Sequence, residues 1–327
     1  MPRPASRRRA LVAALATLVV LSACTGNADE GVETQPTPVV AATAATMTAD
    51  TSLAAAVAAL EDSTPAGEAA REAAFTGPAL ESAHAWATTL PAKTAQQKAD
   101  ARLSASGAKV IGVSRVGDEP RQILAQTTFE KTKAPVLALL VAEAPGSDFK
   151  VAALTPMLAE SRVDALDPTS VGSEAIGDGA GLAARPADVM QAFADSVAFP
   201  DPKETTLLVE DPLTAQLRQS ARAQAKAVSA SGSFAQSHEP GDVIGGLRLK
   251  GGDGAIVFAN IVRSDNIALR RASKLTPSKD FTRLTGIKRI TSEASLTSNQ
   301  IIAFVIPATG AARIVAATDQ LVAGTGR

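Results

Sequence analysis

Residues 109–158 read KVIGVSRVGDEPRQILAQTTFEKTKAPVLALLVAEAPGSDFKVAALTPML and hold four strand-like runs: Lys109–Val116, Gln122–Lys131, Ala134–Ala144 and Phe149–Leu158. Turn material separates them, at Gly117-Asp118-Glu119-Pro120, Thr132-Lys133 and Pro145-Gly146-Ser147-Asp148. Links this short favour antiparallel neighbours, so the stretch reads as a meander. Upstream the period is helical. Asp50 or Thr51 caps a helix whose stripe is Leu53, Val57 and Leu60. A second helical stretch carries Phe75, then Leu80, Ala83, Ala87 and Leu90, and Gly77-Pro78 kinks or splits it.

Downstream, residues 161–184 read as a connector: Gly172, Gly177, Gly179 and Gly181 stand among Ser, Asp and Ala without an apolar period. The order of elements then repeats. Arg185-Pro186 opens a helix with Val189, Met190, Phe193 and Val197 on one face. Asp211-Pro212 opens another, a cap followed by proline at the first helical position, with Leu213, Leu217, Ala221 and Val228 in register. Strand-like runs follow at Val243–Leu249, Ala255–Arg263, Ile267–Leu275, Ile301–Pro307 and Ala312–Ala317, and Lys250-Gly251-Gly252-Asp253-Gly254 makes a hairpin turn. The expected fold is α+β, with two tandem units, 50–160 and 185–327. Each has helices packed on a curved antiparallel sheet.

Composition excludes several classes of function. Of 327 residues 46% are apolar, and although 68 of these are Ala the remainder suffices for a core. Net charge is −1 with 20% charged residues, so the whole chain is no polybasic nucleic-acid binder. With no Tyr, nine Phe and one Trp, stacking platforms for bases are scarce.

The N-terminus carries an address. Arg3, Arg7, Arg8 and Arg9 precede an apolar run from Leu11 to Leu21 that is short for a membrane span, so residues 1–23 read as a secretion signal. Ser6-Arg7-Arg8-Arg9-Ala10-Leu11 lacks the aromatic of a twin-arginine signal, which favours the general secretory route. The run ends in Leu21-Ser22-Ala23-Cys24, which resembles the lipobox of bacterial lipoproteins. Small residues there admit the signal peptidase, and the Cys24 thiol accepts the diacylglycerol. Cys24 is the single cysteine, which excludes an internal disulfide framework and a multi-Cys metal site. Cleavage leaves 28 basic against 33 acidic residues. Residues 24–49, rich in Thr, Ala and Pro, read as a disordered tether to the outer face of the cytoplasmic membrane.

Helices followed by an antiparallel sheet, twice over, resemble the cystatin-like and NTF2-like superfolds. Joined to the lipobox and the Thr/Pro tether, the pattern resembles extracytoplasmic lipoproteins of actinobacteria. That resemblance implies helices lying in the concavity of a curved sheet. It supplies no catalytic residues, and a shared superfold licenses no activity.

A search for chemistry finds little that converges. His84 sits in an Ala-rich helix with no second ligand one turn away, and His238 reads as a loop residue, so neither metal nor catalytic histidine is expected. Gly112-Val113-Ser114-Arg115-Val116 lacks the final glycine of a nucleophile elbow. Ser147-Asp148-Phe149-Lys150 and Ser264-Asp265-Asn266 match two elements of penicillin-recognising enzymes, but Lys-Thr-Gly is missing and Ser147 falls in a turn. The glycines at 177, 179 and 181 follow no strand, and Asp164 and Asp167 read as solvated loop acids. No cofactor is implied. Trp86 shares a helical face with Ala79, Ala83 and Leu90, and either anchors its helix to the sheet or lines a cavity.

The leading expectation is a lipid-anchored, non-enzymatic binding or assembly module with an envelope protein as partner. The alternatives are a carrier or sensor of a small apolar or lipid ligand, and an enzyme with an unrecognised site. One charge asymmetry stands out. From Arg263 to Arg289 eight basic residues (Arg263, Arg270, Arg271, Lys274, Lys279, Arg283, Lys288, Arg289) face only Asp265 and Asp280. They read as outward positions on strands and loops, or else as a contact for anionic envelope material through Arg270, Arg271, Lys274, Lys288 and Arg289.

Overall fold

The expected meander forms the first sheet. β1 (Lys109–Val113), β2 (Arg121–Thr128), β3 (Pro135–Ala142) and β4 (Lys150–Pro156) pair antiparallel in chain order. The computed structural model describes residues 36–327; Leu21, Ser22, Ala23, Cys24 and the tether up to residue 35 lie outside the described residues. Ile123 stands opposite Leu140 and Leu124 opposite Leu139. Both faces of β2 and β3 are therefore apolar, and both are buried.

Helix α1 (Ala42–Glu61) begins inside the span read as tether. Ala45, Ala49, Leu53, Ala56 and Ala59 form one buried stripe. Alanine is the best helix former but a weak hydrophobe, so the first two turns of that stripe do not register as an apolar period. α2 (Pro65–Ala74) and α3 (Gly77–Thr89) flank Phe75, which pairs with Val151 of β4, so the helical stretch splits next to Gly77-Pro78. A short α4 (Ala95–Ala101) follows, which the apolar pattern did not announce.

The second sheet also runs in chain order: β5 (Gly232–Arg248), β6 (Gly254–Leu269), β7 (Glu293–Pro307) and β8 (Arg313–Gly326). Four long strands replace the five shorter runs read from sequence. Ala255–Arg263 and the first three residues of the run Ile267–Leu275 belong to one strand that ends at Leu269, and residues 270–275 form the loop beyond it. Buried polar residues on the sheet, among them Gln236, Asp265, Ser298 and Gln300, interrupt the apolar alternation that marks a strand.

One face of this sheet, with Val257, Ile261, Ile302 and Phe304, receives α5 (Pro186–Val197) through Val189, Met190, Phe193 and Val197. α6 (Pro212–Val228) lies beside α5, capped by Asp211, whose Oδ1 accepts from Thr214 N at 3.0 Å. The opposite face, with Phe258, Ala303, Val305 and Ala316, shares one continuous core with the first sheet and α1. The layers thus run helix, sheet, sheet, helix. Segment 161–184 stitches them together: Leu166 pairs with Leu249, Ala175 with Leu247, and Ser173 with Ser114. α7 (Lys279–Thr285) closes one end of β8 by seating Phe281 against Gly324.

Candidate functional site

A concavity opens where the first sheet's helices meet the edge of the second sheet. Its volume is about 770 Å³, within the range of small-molecule sites. α1 supplies Val57 and Leu60; α3 supplies Ala79, Ser82, Ala83 and Trp86. Leu103, Phe129, Val136 and Leu154 form the floor, and Ile301, Thr318 and Gln320 form the far wall.

Local sequence explains why the space stays open. α3 presents alanine at 79 and 83, so the wall beside Trp86 is thin. α4 begins at its own start signal, apart from the end of α3. Thr94 Oγ1 accepts from Gln97 N at 3.2 Å, and Thr94 N donates to Gln97 Oε1 at 2.9 Å, a complete capping box. Its exit is pinned to the end of β2: Ser104 N donates to Thr128 O at 2.8 Å and Glu130 N to Arg102 O at 2.9 Å. Thr94-Ala95-Gln96-Gln97 was the legible signal for this helix.

The cavity is apolar within and charged at its mouth. Ser82 Oγ, buried in the wall, has no hydrogen-bond partner. At the rim, Arg102 Nε meets Glu61 Oε1 at 2.7 Å. Both side chains are about half exposed, so the pair contributes little to stability. Lys98 stands exposed beside them. Trp86 is half-buried and lines the cavity, with Lys93 Nζ 5.5 Å from its ring centroid. Lys93 also pairs with Asp280 of α7 at 2.6 Å, which ties the Trp86 end of the cavity to α7.

The remaining candidates are spread across the fold. His238, read as a loop residue, lies in β5 opposite Arg263 and is buried. Burial and then the Arg263 charge push its imidazole down to about 3. Neither ring nitrogen has a hydrogen-bond partner. Asp265 is buried nearby, and burial raises its carboxyl above the usual range although Arg263 and Gln236 pull the other way. His84 Nδ1 accepts from Arg71 Nε at 3.4 Å. Ser147 Oγ donates to Ala144 O at 2.7 Å, and Lys150 Nζ donates to Glu72 O at 2.7 Å, so the Ser-x-x-Lys pair does not converge. Among the described residues no group of three or more His, Cys, Asp or Glu side chains is placed to hold a metal ion.

The basic segment divides. Arg263 is drawn into the second sheet, paired with Asp319 and, at 3.3 Å, with Asp265. Arg270 Nη1 donates to Ala230 O at 3.3 Å. Arg271, Lys274, Lys288 and Arg289 are exposed, and no ion pair among the described residues holds them. Comparison with protein-family models, with curated proteins and with solved structures finds no match.

Proposed function

We propose that this chain is a lipid-anchored extracytoplasmic protein that carries or senses a small apolar or lipid ligand in the Trp86 cavity. The observation that supports it is an opening of about 770 Å³ walled mainly by aliphatic and aromatic side chains, with Ser82, Thr318, Asp319 and Gln320 as polar lining. A module acting through its surface alone has no need of such a space, which forfeits the packing its lining would otherwise gain. The charged mouth at Glu61, Lys98 and Arg102 suits a ligand with one apolar and one polar end. The lipobox-like Leu21-Ser22-Ala23-Cys24 supports the anchor.

Trp86 is the only tryptophan, so its emission reports on the cavity alone. A brominated fatty acid, which quenches on contact, is expected to quench that emission saturably and to be displaced by its unbrominated parent. Absence of quenching, or quenching that grows without saturation, overturns the ligand reading. The anchor is tested separately. Cys24→Ala is expected to release the protein from the membrane fraction, and a variant that stays bound after a high-salt wash contradicts it.

A further inference from the structure

We infer that the end of the second sheet around Leu275 is a docking face for an anionic lipid surface. The choice of lipid over other polyanions rests on the cavity reading above. Leu275 pairs with Ile290 through N–H···O bonds of 2.9 and 3.0 Å in the two directions, folding the loop after β6 back on the approach to β7. Because the bridge is antiparallel, Lys274 and Arg289 flank the Leu275–Ile290 rung on its two sides, with Arg271 and Lys288 further along their own segments. The side chain of Leu275 also packs into two apolar clusters, one with Ala225 and Val228 of α6 and one with Phe281 of α7. The exposed cations Lys226 of α6 and Lys279 and Arg283 of α7 therefore border the same knot.

The acids near this knot are engaged. Asp280 is held by Lys93 and Glu293 by Arg327 at 3.1 Å. What faces outward is predominantly positive: seven exposed cations on four chain segments, none in an ion pair among the described residues, against the already paired carboxylates of Asp280 and Glu293. Scattered solvated lysines would not need three segments folded onto one leucine.

Two placements favour a lipid surface. α7 is joined through Asp280 and Lys93 to Trp86, so a membrane against the knot lies on the Trp86 side of the cavity. The described chain begins at the other end of the molecule, where Pro38 pairs with Arg115 and Ala175 with Leu247. The span of β6 between these ends is roughly 50 Å at about 3.3 Å per residue. The knot is therefore a contact point separate from the start of the described residues.

The test uses the chain from residue 25 onward, which keeps every described residue. Its sedimentation with vesicles of phosphatidylglycerol and phosphatidylcholine is compared with phosphatidylcholine alone, at low and high salt. Each cation near an anionic surface contributes roughly a fivefold gain in partitioning. Combined Arg271→Ala, Lys274→Ala, Lys288→Ala and Arg289→Ala should therefore cost roughly 600-fold, while Lys250→Ala at the far end changes nothing. Binding must also weaken as salt rises, because exposed charges are screened. Equal binding to neutral vesicles, an unaffected quadruple variant, or capture by a soluble anionic polymer without capture by vesicles overturns the inference. Quenching of Trp86 by the brominated fatty acid in vesicle-free solution reports on the cavity independently. It also shows that the quadruple variant is folded.

Discussion

Gln122 Oε1 accepts a hydrogen bond from the backbone N–H of Gly246 at 2.8 Å, a polar contact between the two sheets inside their shared core. Gln122 itself is buried, with its own N–H given to Ser114 Oγ at 2.9 Å. The contact depends on close approach. A Cβ at Gly245 would stand 2.8 Å from the same Oε1, and one at Gly246 would stand 2.3 Å from the backbone oxygen of Ile256.

Gln122→Leu is therefore expected to destabilise the fold by about 1–3 kcal/mol, the cost of leaving a buried N–H unpaired. Gly246→Ala should cost more, since backbone rather than a side-chain tip must move. Urea unfolding measures both. A Gln122→Leu variant as stable as the parent shows that the inter-sheet bond contributes nothing.

His238 gives the fold a pH dependence with a definite sign. Its imidazole is held neutral, down to about 3, while an unfolded histidine titrates near 6.5. Stability from this site is complete above pH 6.5 and falls as pH drops through that window, because the unfolded chain then binds the extra proton. The expected slope is about 1.4 kcal/mol per pH unit between pH 6 and 4. Asp265, with its carboxyl raised, works the other way and gains stability as pH falls. His238→Leu should remove the histidine slope without loss at pH 7, because neither ring nitrogen is hydrogen-bonded. Unfolding curves at pH 4, 5, 6 and 7 decide it; an unchanged slope in the variant assigns the dependence elsewhere.

Much of this fold was legible where one physical signal dominated. The first meander showed itself because Gly-Asp and Pro-Gly turns bracket runs of Val, Ile and Leu, and the starts of α5 and α6 because a cap or extended residue precedes proline. The first turns of α1 were hidden by alanine. β5 was hidden from Gly232 onward because Gln236 and His238 point into the protein where an alternating strand carries aliphatics. The cavity was half legible. The face of Ala79, Ala83, Trp86 and Leu90 is in the sequence, but whether a neighbour fills the space beside two alanines depends on where α4 lands. The basic segment was legible as charge. Arg263 already reads as the end of a strand, but that it is held by Asp319 and that Lys226 borders the knot depend on contacts distant in sequence.

Lys93 is the strut between the cavity and α7. Its side chain is 15% exposed, and it serves both the Trp86 ring and the Asp280 carboxylate. Lys93→Met keeps most of the apolar stem and removes both attractions. The expected loss is about 1–2 kcal/mol, with a shift in Trp86 emission as its ring loses the overlying cation. Asp280→Asn should reproduce the stability loss with a smaller spectral change. Equal spectral change in both variants means the ion pair, rather than the cation over the ring, sets the environment of Trp86.

Filling the cavity separates binding from folding. Ala83 is buried on α3 beside Trp86 and Ser82, with open space in front of it. Most small-to-large changes in a close-packed core force neighbours out of place and cost 1–3 kcal/mol. A phenylalanine at this position instead enters a volume of about 770 Å³, so Ala83→Phe gains contacts without displacing backbone. Its melting temperature is expected to hold or rise, while saturable quenching of Trp86 by the brominated fatty acid falls at least tenfold. Ser82→Ala is the complementary change, because it removes a buried hydroxyl without a partner and leaves the volume open. It should leave affinity for a plain acyl chain intact and weaken a ligand whose polar group reaches that hydroxyl. If Ala83→Phe lowers the melting temperature by several degrees and leaves quenching unchanged, the space is closed in solution and the ligand reading fails.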